Sequence, residues 1–332
     1  MKIAIAGATG LVGRKMIEVL AELMPQNIDL LLGASENSIG KELSFRSQNI
    51  KVISLEDLLN SKPEIVLFSA GGEISKEWAP KFAAKGCYVI DNSSAWRMDE
   101  NIPLVVPEIN AKEITSETKI IANPNCSTVQ LVVAIKPLQH IYGIKRLVIS
   151  TYQSVTGSGV KGNVQLTKER QGEAITERAY PHAIDMNIIP QGGDFLENDY
   201  TTEEMKLVHE TRKILGDDDI AITATVVRVP VTGGHSESVN IEFEKEYDIN
   251  EAKKLIGMMP GVILLDLPSA NLYPMPKIAE GKNQVFVGRI RRDESIANGL
   301  NMWIVADNLR KGAATNAVQI ALYLMNNGLV KV

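Results

Sequence analysis

Lys2-Ile3-Ala4-Ile5-Ala6-Gly7-Ala8-Thr9-Gly10-Leu11-Val12-Gly13 reads as a short strand, a glycine turn and the opening of a helix. Lys2–Ala6 is rich in β-formers. Leu11–Met24 carries Leu11, Met16, Val19, Leu20 and Leu23 at helical spacing, and Pro25 follows as a stop. Glycines in such a turn permit positive φ and close approach of a pyrophosphate. The helix start beyond it offers free N–H groups and a favourable dipole. The loop departs from the G-x-G-x-x-G form, because its middle glycine comes one place later and Thr9 fills the vacated slot. A tight turn would use the same glycines. Their place at the head of a βαβ unit favours dinucleotide binding.

Outward from this loop the alternation continues. Ile28–Leu32 reads as a buried strand, Gly33–Lys41 as a polar turn, Glu64–Ser69 as a strand, Ser75–Lys85 as a helix, and Cys87–Asp91 and Ile120–Ala122 as strands. Strands alternating with helices imply a parallel sheet with right-handed crossovers, so a Rossmann-type α/β domain is expected. Beyond the helix that begins near Cys126 the pattern changes. Arg146–Ser154, Ile220–Val229, Ser238–Glu244, Gln284–Arg291 and Asn301–Asp307 read as strands, several alternating apolar and polar residues as half-exposed antiparallel strands do. Thr202–Leu215, Asn250–Met259 and Gly312–Asn326 read as helices. The second domain is therefore expected to be α/β with a mixed, largely antiparallel sheet.

The 332 residues suffice for two cores without covalent staples. Hydrophobic residues at 45% and charged ones at 23% are ordinary for a globular chain, and a net charge of −5 gives no footprint for nucleic acid or an anionic membrane. Two cysteines cannot build a disulfide framework, and with four histidines they form no zinc-like spacing, so no metal is expected. The N-terminus lacks the features of a signal peptide, and no apolar run approaches a membrane span of about 20 residues. A cytoplasmic location is expected.

Cys126 lies in Asn123-Pro124-Asn125-Cys126-Ser127-Thr128, ahead of the apolar helical run Val129–Ile135. At or near an N-cap a thiol gains from the helix dipole, which favours the reactive thiolate, and the same N–H groups can hold an oxyanion. A small buried cysteine is the equal alternative on this segment alone. Cys87, after Gly86, reads as core. Of the four histidines, His140 and His209 fall in helices as surface residues, and His182 lies in a long loop. His235 stands in Arg228-Val229-Pro230-Val231-Thr232-Gly233-Gly234-His235, a glycine-rich loop between strands, and is the preferred base.

Taken together, Gly7–Gly13, Asn123–Thr128, Gln153-Ser154-Val155-Thr156-Gly157, Arg228–His235 and Asp307-Asn308-Leu309-Arg310-Lys311-Gly312-Ala313-Ala314 resemble, in order along nearly the whole chain, the aspartate-semialdehyde dehydrogenase family in its bacterial form. The resemblance implies reversible NADPH-dependent reductive dephosphorylation of L-aspartyl 4-phosphate to L-aspartate 4-semialdehyde, a step toward lysine through diaminopimelate, threonine, methionine and isoleucine. It also implies a homodimer or homotetramer. It divides the chain into an NADP-binding Rossmann domain, 1–127 with a C-terminal helix in 311–332, and a catalytic and dimerisation domain, 128–310.

The roles it implies are specific. Cys126 matches the nucleophile that forms a thioacyl enzyme, His235 the acid/base, and Gln153 the residue that orients the acyl group. Arg228 resembles the arginine that grips the α-carboxylate, for which a planar fork is suited. Asn125 joins the substrate set beside the nucleophile. Glu203 resembles the substrate-amine contact, and Lys206 and Arg97 the phosphate contacts. Glu203 and Lys206, three apart on a helix, share a face. Gly7, Thr9, Gly10, Leu11 and Val12 match the pyrophosphate loop, and Ser35, Asn37 and Ser38 the 2′-phosphate turn. Ser69 and Gly71 resemble the loop under the cofactor, Asn308 resembles a nicotinamide-side contact, and Thr156, Gly157 and Ser158 join the cofactor-binding set. Asn37 stands where many members carry arginine, and Glu36 adjoins it, so the choice between NADP and dual NAD/NADP use stays open. The alternatives are a sister enzyme such as N-acetyl-glutamyl-phosphate reductase, a reductase of a thioester such as malonyl-CoA, and a non-catalytic dinucleotide-binding regulator.

Overall fold

The computed structural model describes residues 1–330, so the last two positions of the expected segment 311–332 lie outside the described residues. Packing divides the chain into two units. One is Met1–Asn125 joined by the stretch from Ala313 onward, and the other is Cys126–Gly312.

The first unit begins with β1 (Lys2–Ala6), α1 (Leu11–Leu23) and β2 (Asp29–Gly33), then β3 (Glu42–Phe45) and β4 (Gln48–Ile53). It continues with α2 (Leu55–Asn60), β5 (Ile65–Phe68), α3 (Gly72–Ala84), β6 (Tyr88–Asp91), the single turn α4 (Pro107–Asn110) and β7 (Ile120–Ala122). Among the described residues its strands lie in the order β3-β4-β2-β1-β5-β6-β7, all neighbours parallel except the β3–β4 pair. The inner strands are apolar throughout because both faces are covered. Ile3 and Ile5 face one core with Met16 and Leu20, while Ala4 and Ala6 face the other with Phe68 and Phe82.

The β3–β4 hairpin was not expected from the sequence. The polar turn at Gly33–Lys41 leads straight into it. Its strands are short and largely exposed, so their apolar alternation is weak, and its tip uses Arg46 at φ 53° where glycine would have signalled the turn.

The second unit runs α5 (Cys126–Tyr142), β8 (Ile144–Gln153), α6 (Gly159–Gln171), α7 (Thr202–Leu215), β9 (Ala221–Arg228), β10 (His235–Phe243) and α8 (Ile249–Met258). It closes with β11 (Val262–Leu264), the single turn α9 (Pro276–Ala279), β12 (Val285–Asp293) and β13 (Gly299–Ala306). The described strands are ordered β11-β12-β13-β10-β8-β9. The β8–β9 and β11–β12 pairs are parallel and the rest antiparallel. This is the mixed, largely antiparallel sheet expected. Alternate residues of β8 and β10, among them Leu147, Ile149, Val239 and Ile241, are buried on one face, as the period of two requires. α6 was not expected, because its sequence is polar and carries little apolar periodicity. After a wound turn at Arg310–Ala314 the chain enters α10 (Thr315–Asn326), whose Ala317, Ala321 and Leu324 pack into the Ile3 core of the first unit.

Candidate active site

Cys126 is the first residue of α5 rather than its cap. The first N–H groups of a helix have no partner within the helix and point toward whatever lies before it. The Cys126 side chain is partly exposed. Gly312 packs directly against it: a Cβ built there would come 2.8 Å from the Cys126 Cβ.

One row of the second sheet brings together three of the other residues expected at the site. Gln153 is paired with Arg228, and Ser236 with Tyr152. That register places His235 level with Gln153, so β10, β8 and β9 present His235, Gln153 and Arg228 side by side at one end of the sheet. All three are buried. His235 is thus the opening residue of a strand and not, as expected, part of the preceding loop. Strand pairing fixes its backbone, whereas a loop would not. Gln153 Nε2 donates to Ser127 Oγ at 2.9 Å and ties this row to the turn that carries Cys126.

His235 Nδ1 accepts the Ser154 main-chain N–H at 3.0 Å. An accepting Nδ1 leaves the proton of the neutral ring on Nε2. Burial and the neighbouring Arg228 guanidinium hold this imidazole well below its ordinary pKa, so the neutral form prevails. Nε2 is enclosed and has no protein partner. Gly157 makes room for this arrangement. A Cβ there would lie 2.5 Å from Arg228 Nη1 and 3.0 Å from His235 Nε2. Behind the ring, Asn308 Oδ1 accepts from Ser154 Oγ at 3.1 Å and from Thr156 Oγ1 at 3.0 Å.

Arg228 and Glu203 also line a cavity of about 340 Å³, with Ser158, Tyr180, Gln191 and Asp194 among its walls. Lys206 is ion-paired with Glu203, as the shared helix face implies. Tyr180 and Gln191 were not singled out in the sequence, because they lie in an irregular segment with no pattern to mark them. His140, His182 and His209 are exposed. Cys87 is buried among apolar neighbours, where its thiol is pushed up to about 11 by burial.

In the first unit, Gly7 (φ 89°) directly follows β1 and lies against the main chain of Ser69, which directly follows β5. These are the two strands between which the strand order reverses, the place where parallel sheets bind nucleotides. A side chain at Gly7 would collide with the Ser69 carbonyl, and Gly13 is pressed likewise onto Gly7 and Ala8. Gly10 caps α1, so Leu11 and Val12 form its first turn. Gly71 (φ 90°) caps α3 in open space. This is a cradle that fits a pyrophosphate. Thr9 Oγ1 donates to Ser38 Oγ at 3.3 Å, and Lys41 Nζ reaches the same hydroxyl at 3.4 Å. Ser35, Glu36 and Asn37 are exposed. Lys41 was not anticipated, since it lies three positions beyond Ser38 and only the turn of the chain joins them. Arg97 is buried and donates to the carbonyls of Asn123 at 2.9 Å and Asn92 at 2.8 Å, and Asn125 is buried nearby in sequence. Among the described residues no group of acidic, His or Cys side chains could hold a metal, and no helix is long and apolar enough to cross a membrane.

Two family models match the chain: the semialdehyde dehydrogenase NAD binding domain over residues 2–117, and the semialdehyde dehydrogenase dimerisation domain over residues 135–311. The chain is 51% identical to the aspartate-semialdehyde dehydrogenase of Aquifex aeolicus, covering 99% of each chain. It is 47% identical to that of Legionella pneumophila, over 100% of this chain and 97% of the other. Among solved structures it is similar to aspartate semialdehyde dehydrogenase II of Vibrio cholerae complexed with ASA, with a TM-score of 0.93, 44% identity and 98% of each chain covered. It is also similar to the Candida albicans enzyme with NADP, with a TM-score of 0.78, 25% identity and 99% of each chain covered.

Proposed function

This chain belongs to the aspartate-semialdehyde dehydrogenase family, and from that premise we propose a chemical role for each part of its site. The reaction is the reversible reductive dephosphorylation of L-aspartyl 4-phosphate to L-aspartate 4-semialdehyde, in the biosynthesis of lysine, threonine, methionine and isoleucine. The observation that carries the residue assignment is the row His235–Gln153–Arg228 set at the turn bearing Cys126.

Arg228 binds the α-carboxylate of the substrate through its guanidinium fork, and Glu203 in the same cavity takes the amino group. Lys206 and Arg97 serve the phosphate, and Asn125 and Gln153 orient the acyl group. The Cys126 thiolate attacks the acyl carbon. The carbon–oxygen bond to phosphate breaks, phosphate departs and a thioacyl enzyme remains. When bound, the nicotinamide supplies the hydride that reduces this acyl group. His235 donates its Nε2 proton toward the oxygen that becomes negative, and collapse of the resulting hemithioacetal anion returns the thiolate and frees the aldehyde. His235 thus acts foremost as a donor in its resting form. Acceptance of the thiol proton requires Nε2 to be vacated first.

The dinucleotide is held at Gly7, Thr9, Gly10, Leu11, Val12, Ser69 and Gly71, with Thr156, Gly157, Ser158 and Asn308 on the nicotinamide side. NADP is the preferred form in this reading. Ser38 and Lys41 offer a hydroxyl and a cation to a 2′-phosphate, while Glu36 at an exposed position leaves NAD use open. The chain works as a homodimer or homotetramer through 128–310, and in the cytoplasm, where two cysteines outside any disulfide suit a reducing medium. The domain division follows the same reading: 1–127 and 311–332 for the nucleotide, 128–310 for catalysis and assembly.

The test runs the reaction in reverse. Protein, L-aspartate semialdehyde and phosphate are mixed with NADP⁺ or NAD⁺, and reduced-nicotinamide absorbance is followed. Phosphate-dependent reduction is expected, and Cys126→Ala should abolish it while cofactor binding persists. Turnover in that variant would refute the nucleophile. Silence of the folded wild-type protein with both cofactors, followed by reduction with N-acetyl-glutamate semialdehyde, would move the chain to the sister reaction.

A further inference from the structure

Glu237 is fully buried and takes no part in the chemistry above. It stands on β10 two residues after His235, so both side chains emerge on the same face, one pleat apart. Directly across the sheet are Thr151 of β8 and Ile304 of β13, neither charged. From the helix layer, Ser127 and Gln130 of α5 lie against its carboxyl group. Ser127 is the residue after the nucleophile, and Gln130 stands four places on, on the same side of the helix as Cys126. Charged or titratable residues at this end of the sheet include His235 and Arg228 in the row above and Asp307 next to Ala306, and the Glu237 carboxyl is shifted by its burial and by Ser127 and Gln130 rather than by any of them.

A carboxylate with neither solvent nor cation is not tolerated in such a place. Both Glu237 oxygens are shut from solvent, and neither closes a well-formed hydrogen bond. Burial drives its pKa well above the ordinary carboxyl value and so favours the protonated form. The neutral acid can accept the Ser127 hydroxyl proton on one oxygen and donate to the Gln130 amide with the other. With its proton turned to Glu237, Ser127 Oγ turns a lone pair to Gln153 Nε2, the bond observed at 2.9 Å. That contact orients the Gln153 amide, whose Oε1 has no partner.

We propose that Glu237 is a positioning residue that, through Ser127, sets which end of the Gln153 amide faces the reacting acyl group. The proposal rests on the catalytic reading above and adds to it a polar chain Glu237–Ser127–Gln153 running beneath the nucleophile.

The experiment compares Glu237→Gln, Glu237→Met and Ser127→Ala with the wild type. Glutamine keeps one acceptor and one donor without an ionisable proton, whereas methionine keeps the volume alone. Glu237→Gln should hold kcat within about threefold and lose any alkaline fall due to this group. Glu237→Met and Ser127→Ala should each lower kcat about tenfold at an unchanged KM for phosphate, and combined they should cost no more than either alone. Additive losses, or a Glu237→Met enzyme with wild-type kcat, would overturn the proposal. Should Glu237→Met not fold, Ser127→Ala and Glu237→Gln decide by the same criteria.

Thermal midpoints give a reading independent of turnover. A carboxyl raised by burial favours the native state at low pH and loses that advantage as pH rises above its unfolded value of about 4.3. The gain in midpoint from Glu237→Gln should therefore be larger at pH 8.5 than at pH 5.5. An equal gain at both would mean an ionised Glu237 and sink the neutral chain. A wild-type protein inactive on aspartate semialdehyde would refute the catalytic reading, while this pair of midpoints would still judge Glu237.

Discussion

Single atoms decide much of the site. At Gly157 one added methyl would sit 2.5 Å from Arg228 Nη1 and 3.0 Å from His235 Nε2, so both side chains would have to move. Displacement of reacting groups by about 1 Å costs on the order of 100-fold in rate. Gly157→Ala should therefore lower kcat/KM by about 10- to 100-fold with an unchanged circular dichroism spectrum. An unaltered rate would show that the row has slack. Lys41 carries the analogous prediction on the cofactor side. Its ammonium is exposed and screened, so its contribution to a 2′-phosphate is modest. Lys41→Gln should raise KM for NADP⁺ about two- to fivefold and leave KM for NAD⁺ alone, on a loss of about 0.5–1 kcal/mol. Equal changes for both cofactors would remove it from the 2′-phosphate site.

At the scale of elements, α7 shows how the sequence holds a functional face in place. Thr201 caps the helix by accepting the Glu204 N–H, and the Glu204 carboxylate accepts the Thr201 N–H in return. Glu204 accepts as well from the Val226 N–H of β9 at 2.9 Å, which fastens the helix to the strand ending in Arg228. The neighbouring Glu203 is thereby held in the cavity that Arg228 lines. Thr201→Ala should cost about 1 kcal/mol, the worth of a typical cap. Glu204→Ala should cost more, about 2–3 kcal/mol, because it strands two buried N–H groups. Denaturant midpoints would show the ranking, and the reverse order would mean that the cap rather than the strand tether secures α7.

For the whole molecule, the register of one sheet and the return of one helix matter most. The first unit takes its core from both ends of the chain, since α10 packs on the residues of β1 and α1. The second unit buries an imidazole whose pKa is depressed. Its unfolded form binds a proton below about pH 6.5 that the native form refuses, so stability rises with pH up to that point and is lost as pH falls below it. His235→Gln removes this dependence. The wild type should therefore lose more stability than the variant between pH 7 and pH 5, measured by denaturant unfolding. Parallel losses would place a proton on the native ring.

Local pattern determined most of the elements and marked the segments that hold the candidate chemistry. Lys2–Gly13 announced a strand, a turn and a helix because period and glycine placement are properties of adjacent residues. Thr202–Leu215 was legible to its ends because its caps lie in the same segment. Cys126 was marked as a candidate by its place before an apolar helical run, where a buried core cysteine read equally well, and Arg228 took its role from the family likeness. The tertiary structure decided what adjacency cannot encode. His235 became a strand residue by pairing with Ala306, 71 positions away along the chain. Its tautomer was set by the Ser154 N–H, and its space by Gly157. The β3–β4 hairpin and α6, weak in periodicity, took their form without a clear local signal. Glu237 stood unnoticed in an alternating strand, because burial without a partner is a property of three packed elements and not of any one of them.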